Sequence, residues 1–271
     1  MRRGCSEWSW GLASLKELEL NEASWWAFWA DLSWTGADSY VLTSRESDEY
    51  FFNRGGFLGC EGGAASVAGA EAALVRAGRN PCFSVPDECA QVLRALTSRG
   101  YTAFDSMAVL ELGRPTFRTS PALAISSGQE VEPADWAAAY SLSFYGDLSE
   151  SEAATRVASR VAREQSVTLI EGKIDGDAAG VLAAFRSPGL IGIYCVGTAG
   201  GFRRAGVAGS LIRAAWDIAS AEGRSLVLQT ILSENALGFY SRGGFRRLHS
   251  KTLLARGSGG TGGKQAGRGP P

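Results

Sequence analysis

The chain has 271 residues, enough for two domains of ordinary size. It is 45% hydrophobic and 20% charged with a formal net charge of -1, a globular composition without the basic excess that a broad nucleic-acid surface needs. No apolar run reaches the ~18 residues of a membrane span, and the five cysteines (Cys5, Cys60, Cys82, Cys89, Cys195) are odd in number and lack C-x-x-C spacing, so they read as free thiols of a reducing compartment.

The opening Met-Arg-Arg is not followed by a continuous apolar stretch, and Glu7 and Glu17 interrupt it, so no signal peptide is read and a cytoplasmic location is expected. Residues 1–34 hold six tryptophans: Trp8, Trp10, Trp25, Trp26, Trp29 and Trp34. Leu12, Leu15, Leu18, Trp25, Phe28, Trp29 and Leu32 recur at helical spacing. The polar positions Glu17, Glu19, Glu22 and Asp31 are acidic, the wrong sign for an anionic membrane surface, so the segment is predicted to face a core. Tyr40–Thr43 and Tyr50–Phe52 read as strands, with Asn53-Arg54-Gly55-Gly56 as a turn after the second. A helix over about Ser66–Ala77 follows, then a strand at Cys82–Val85, a helix carrying Cys89, Val92, Leu93 and Leu96, and a strand at Ser106–Leu112.

Gly, Pro, Ser and Thr accumulate in residues 113–130, which read as a linker, with Ala122–Ile125 as a candidate first strand beyond it. Pro133–Phe144 is predicted helical, Pro133 suiting its first turn. Ser149-x-x-Glu152 suggests a capping box opening a second helix to about Arg163. Val167–Ile170 and Val181–Phe185 are predicted strands around the turn Asp175-Gly176-Asp177. Leu190–Val196 is a central strand; Leu226-Val227-Leu228, apolar on both faces, is another. The Gly-rich tail, residues 257–271, cannot bury enough surface to offset its ordering entropy and is expected to be disordered.

Between those two strands lies the chemically suggestive stretch. Gly197, Gly200 and Gly201 allow a sharp bend, Arg203 and Arg204 add positive charge, and Gly206 and Ala208 are small residues at a helix start. Val207, Leu211, Ala215 and Ile218 then recur at helical spacing to Glu222-Gly223. The unpaired amides of such a helix start, with its dipole, form a phosphate or pyrophosphate site.

Arg203-x-x-Gly206-x-Ala208 resembles the Arg/Gln-x-x-Gly-x-Gly/Ala signature of the GNAT (GCN5-related) N-acetyltransferases. Val196-Gly197-Thr198 resembles the family's strand end along the pantetheine arm, and Asn235, Phe239-Tyr240 and Gly244-Phe245 resemble its later Asn…Tyr…Gly-Phe segment. Ala208 replaces the commoner second Gly, and Gly238 stands where Ala is usual. The resemblance covers about Val131–Arg256 and implies an α/β fold, a GNAT-like mixed central sheet flanked by helices. It implies acetyl-CoA as acyl donor, bound by Val196, Gly197, Thr198, Arg203, Arg204, Ala205, Gly206, Val207, Ala208, Gly209 and Asn235. A backbone N–H near Val196 or Gly197 would polarise the carbonyl, and Tyr240 would protonate the leaving thiolate.

Each assignment has a structural competitor: core packing for Tyr240 and a helix cap for Asn235. No general base is identifiable; His249 reads as surface or structural, while Tyr145, Asp147, Glu150 and Glu152 fall where the family places acceptor-side groups. No metal site is read. The expected partner is a small-molecule or peptide amine, without nucleic acid or membrane, and a homodimer is allowed for. The function implied is acetyl-CoA-dependent N-acetyl transfer; a regulatory module that binds acetyl-CoA without turnover, and a phosphate-binding regulator of another kind, are the rivals.

The first half parallels the second. Ser98-Arg99-Gly100-Tyr101 resembles Arg242-Gly243-Gly244-Phe245, the strands Ser106–Leu112 and Ser250–Arg256 follow at equal distance, and Phe83-Ser84-Val85 maps near Val227-Leu228-Gln229. Gly59, Gly62 and Gly63 echo the phosphate turn without its arginine. Two such domains in tandem are expected: residues 1–112 as a degenerate copy, 113–130 as linker, 131–256 as the acetyltransferase domain and 257–271 as tail.

Overall fold

The computed structural model describes residues 13–256. Cys5, Trp8, Trp10 and the tail expected to be disordered lie outside the described residues. The first half runs α1 (Leu15–Trp26), β1 (Asp31–Trp34), β2 (Ser39–Thr43), β3 (Arg54–Phe57), α2 (Gly63–Arg76), β4 (Cys82–Pro86), α3 (Ala90–Ser98) and β5 (Tyr101–Leu112). The second runs β6 (Ala124–Ser127), α4 (Pro133–Phe144), α5 (Ser151–Val161), β7 (Val167–Ile174), β8 (Asp177–Ser187), β9 (Leu190–Thr198), α6 (Val207–Ala221), β10 (Ser225–Ile231), α7 (Leu237–Arg242) and β11 (Phe245–Arg256).

All the strands join one sheet of 11, in the order β1-β2-β3-β4-β11-β5-β10-β9-β8-β7-β6. At its middle β5 and β11 run antiparallel, Tyr101 opposite Arg256 and Phe245 opposite Leu112. Each half thus lends its last strand to the other: β5 pairs with β10, and β11 with β4. On either side a parallel pair follows, β3 with β4 and β9 with β10. The order from β1 to β5 repeats from β7 to β11 about a pseudo-two-fold axis between β5 and β11, while β6 and one of the two helices before β7 have no counterpart among the described residues of the first half. Cys82 faces Ala255 as Val227 faces Glu111, so Cys82 corresponds to Val227, one residue off the expected alignment.

Several local expectations change. Tyr50–Phe52 is a turn of 3-10 helix, and the strand is Arg54–Phe57. The two glycines read as a turn sit inside that strand because its neighbours fill their side-chain space: a Cβ on Gly55 would lie 2.6 Å from the Phe83 ring, and one on Gly56 would enter the Tyr40 ring. The capping box expected at Ser149–Glu152 does not form; α5 starts at Ser151 without a side-chain cap, and the Ser149 amide donates to Asp147 instead. A capping box does form at Ser14–Glu17, where the Ser14 amide donates to Glu17 Oε2 at 2.7 Å.

Helix α1 stops at Trp26, so Phe28, Trp29 and Leu32 lie beyond it, Leu32 in β1. The helix does face a core: Trp25 is fully buried and stacks on Tyr194 of the second half, centroids 5.0 Å apart. Asn21 donates to the Phe185 carbonyl and accepts from the Tyr194 hydroxyl at 2.6 Å. Among the described residues no helix is long and apolar enough to cross a membrane.

A buried charge cluster joins the halves. Glu22 pairs with Arg54 at 2.6 Å and with Lys251; Lys251 also reaches Glu19 at 2.8 Å, and His249 Nε2 lies 3.4 Å from Glu19. His249 is therefore structural. Burial alone would raise the Glu22 pKa; the adjacent Lys251 and Arg54 charges more than offset that and lower it.

The reading of all cysteines as free thiols fails at one pair. Cys60 and Cys89 form a disulfide, because the loop after β3 returns against the first turn of α3, bringing their Cα atoms to 4.5 Å. That pairing also removes the support for a reducing compartment that free thiols would give. Cys82 is buried and free, and Cys195 is half-buried and free.

Candidate active site

Strand β9 ends at Thr198 and the chain turns through a short 3-10 segment, Gly200–Phe202, before α6. Gly206 caps α6 with φ +86, a conformation that favours glycine. No side chain among the described residues caps this helix, and the amides of Gly206, Val207, Ala208 and Gly209 find no acceptor there. Such amides point along the axis off the N-terminal end, where the helix dipole favours an anion. Arg203 and Arg204 beside it are exposed and pair with no carboxylate among the described residues. Arg203 leans on the Ser143 carbonyl at 3.5 Å, and a surface groove of about 610 Å³ runs past Ser143, Phe144, Gly200, Gly201 and Arg203.

The small residues of the turn have a second use. The linker backbone packs on the flank of α6: a Cβ on Gly206 would meet the Thr119 carbonyl carbon at 2.8 Å, and one on Gly209 would meet Arg118. The Ser120 amide donates to Ser210 Oγ at 2.9 Å. Residues 118–120 take the space beside these two Cα positions and leave the axial end and its amides unbonded.

Strands β9 and β10 pair only over Leu190–Gly192 and Ser225–Val227, then diverge. In the same stretch β9 bulges against β8: Ala183 faces Tyr194 and Val181 faces Gly197, leaving Leu182 alone opposite Cys195 and Val196. Cys195 takes φ +53 to make the bulge, which re-aims the backbone around Val196. A cavity of about 170 Å³ opens in the divergence, reaching Val196 and Tyr240 and extending to Glu22, Trp26, Glu49 and Phe52 of the first half. It shares Phe144 and Tyr145 with the groove past Arg203.

Two carboxylates, Glu234 and Glu49, line this cavity without a cationic partner among the described residues, and the Tyr240 phenol lines it with them. Burial, reinforced by Glu234, pushes the Tyr240 phenol well above the ordinary tyrosine range, so it stays protonated at neutral pH. Burial, with a contribution from Asp105, pushes the Glu234 carboxyl up to about 7. Burial also raises Glu49, opposed by the Tyr145 hydroxyl, which donates to Glu49 Oε1 at 3.2 Å, and helped by Glu150. The Cys195 thiol is raised by burial alone and is therefore a poor nucleophile.

Residues 133–245 match the family model described as Acetyltransferase (GNAT) family. This stretch is a GNAT-family domain. Comparison of the sequence with curated proteins gives no match. A GCN5-related N-acetyltransferase from Kribbella flavida superposes with a TM-score of 0.63 over 90% of this chain and 96% of its own, at 16% identity. A tandem GNAT protein from the clavulanic acid biosynthesis pathway, solved without AcCoA, gives 0.57 over 88% and 89%, at 12% identity. A GCN5-related N-acetyltransferase from Sphaerobacter thermophilus gives 0.56 over 80% and 76%, at 17% identity. At such identities the likeness is one of fold, and it extends through both halves.

Within the GNAT domain the expected residues do not all converge. Val196 and Tyr240 line the cavity, while Gly197 packs on Ser143 and Phe144, and Thr198 is buried in the sheet opposite Gly180. Ala205 is half-buried against the core, and Asn235 is exposed, in the left-handed region, its side chain donating to the Ser233 carbonyl at 3.1 Å. The cap competitor for Asn235 matches this geometry. Of the acceptor-side candidates only Tyr145 lines the cavity; Asp147, Glu150 and Glu152 are exposed outside it. Tyr240 packs edge-on against Phe245 at 5.6 Å, as its core reading expects, and also lines the cavity. Glu49 and Glu234 were missed. Glu234 directly precedes Asn235 of the recognised segment, and that adjacency was the available signal; nothing in the sequence marks Glu49.

Proposed function

We propose that this protein transfers an acetyl group from acetyl-CoA to a primary amine by direct attack. The observation carrying the proposal is the open start of α6, whose free amides and unpaired Arg203 and Arg204 suit the diphosphate of coenzyme A. The residues present fit that molecule: the groove past Arg203 leads towards the β9–β10 divergence through Phe144 and Tyr145, which both spaces share. Acetyl-CoA supplies an activated acyl group on a thiolate leaving group.

The chain's own residues handle the protons. An ammonium acceptor must lose one proton before it can attack and a second as the amide forms. Glu234, titrating near neutrality, accepts the first and returns it to solvent. The backbone N–H groups at the Cys195–Val196 bulge polarise the carbonyl. Tyr240 donates to the departing sulfur and is reprotonated by the second proton. The inert thiol of Cys195 is consistent with direct transfer rather than an acyl-enzyme. The binding-only alternative has the lack of an identified base and the degenerate first half behind it; against the first, Glu234 and Glu49 are candidate bases.

Acetyl-CoA should raise the melting temperature of the full chain, and Arg203→Glu/Arg204→Glu should abolish the rise. In a thiol-release assay Tyr240→Phe should lower kcat about 100-fold with acetyl-CoA affinity retained. Absence of any thermal shift at saturating acetyl-CoA overturns the reading.

A further inference from the structure

The cavity is built by both halves, and its first-half wall has a definite chemistry. Trp26, Phe51 and Phe52 form one aromatic side, Trp26 lying 5.5 Å from Phe51 and 5.6 Å from Phe52 between centroids. Tyr140, Phe144 and Tyr145 form another, Tyr140 lying 4.9 Å from Phe144. No Lys, Arg or His lines the space, and the charge of Glu22 is cancelled by Arg54 and Lys251 outside it.

The unbalanced charges facing the cavity are Glu49 and Glu234, so its field favours a cation. Glu49 is held at the start of a 3-10 turn: its amide donates to Ser47 Oγ at 3.2 Å, and its carbonyl accepts from Asn53 Nδ2 at 3.0 Å.

On the reading given above, we infer that the acceptor is an organic ammonium with an apolar, ring-sized body, held by Glu49 and packed between the two aromatic walls. Aromatic faces attract a desolvated cation and also bury the apolar body, which a small hydrophilic amine could not exploit. The degenerate first half thereby serves as the acceptor side of the second half's site.

The probes are 2-phenylethylamine, 2-phenylethanol and ethanolamine, titrated calorimetrically into the full chain with and without coenzyme A. The expected order is 2-phenylethylamine at least 10-fold tighter than either of the others. Glu49→Gln should weaken 2-phenylethylamine at least 10-fold and leave acetyl-CoA affinity within twofold. Phe51→Leu, which alters no charge, should weaken 2-phenylethylamine but not ethanolamine. Equal binding of the alcohol overturns the ammonium, equal binding of ethanolamine overturns the apolar body, and no amine binding overturns the inference. If acetyl-CoA still binds and releases thiol with other acceptors in that last case, the enzymatic reading survives while this one fails.

Discussion

The two halves bring a parallel strand pair to the central axis in the same way and differ at the ends of those strands. In the second half β9 and β10 part after Gly192 and Val227, and the gap becomes the cavity that Tyr240 and Glu234 face. In the first, β3 and β4 pair at Gly55–Phe83 and Gly56–Ser84, Val67, Val92 and Leu96 pack in one core cluster with Phe57, Phe83 and Val85, and the disulfide Cys60–Cys89 ties the loop after β3 to the start of α3. Cys89 follows the end of β4 by as many residues as Glu234 follows the end of β10. The connections differ as well: residues 58–62 lead from β3 to α2, whereas 199–206 lead from β9 to α6 and carry both arginines. Both helices that follow, α2 and α6, begin without a side-chain cap, but only α6 is preceded by a pair of arginines; the first half instead turns its β2–β3 connection and α1 towards its neighbour's cavity.

The comparison is broken most severely by cutting the charges between the halves. Lys251 of β11 is fully buried and holds Glu19 and Glu22 of α1. Lys251→Met leaves two carboxylates short of their cation, and removing one partner of a buried pair typically costs ~3–5 kcal/mol. Urea unfolding should shift to a lower midpoint in a single transition, because the strand exchange leaves neither half with its own complete sheet. Two separate transitions would show that the halves stand alone.

Next in size is the disulfide. Cys60→Ser/Cys89→Ser opens a loop with a sequence separation of 29, and loss of such a crosslink costs about 3 kcal/mol. The same denaturation experiment should show that loss while acetyl-CoA affinity is unchanged, since the disulfide ties elements of the first half alone. A fall in acetyl-CoA affinity would mean that the two strand ends are mechanically linked.

What could be read from the sequence follows the range of the contacts involved. The turn before α6 is local: Gly206, Ala208 and the helical spacing beyond them lie on one continuous stretch, and α6 begins at Val207 as expected. Pro133–Phe144 is likewise helical over the predicted span. Tyr50-Phe51-Phe52 misled because strand propensity describes a half-buried surface, and those rings are turned instead against Trp26 and Phe104. The disulfide, the sharing of β5 and β11, and the titration of Glu234 all depend on contacts between distant segments. Glu49 is the sharpest case, being an ordinary loop glutamate until Tyr145 and the cavity are brought to it.

The smallest effect separates the two carboxylates that face the cavity, one from each half. Glu234 titrates at about 7 in the fold, above the unfolded value near 4.5, because burial penalises its charge. The folded state therefore binds this proton more tightly than the unfolded state. The stability that comes with it is full below pH ~4.5 and is lost as pH rises through about 7. Glu234→Gln carries no such loss, so it should exceed the parent by ~1 kcal/mol at pH 8, a figure reduced for the group's partial exposure, with no advantage near pH 4. Catalysis should move the other way: kcat/KM of the parent rises through about pH 7 as Glu234 becomes a base, and Glu234→Gln should flatten that rise. If the rise persists in Glu234→Gln and disappears in Glu49→Gln, the proton leaves towards the first half, and that half has kept a part in the chemistry.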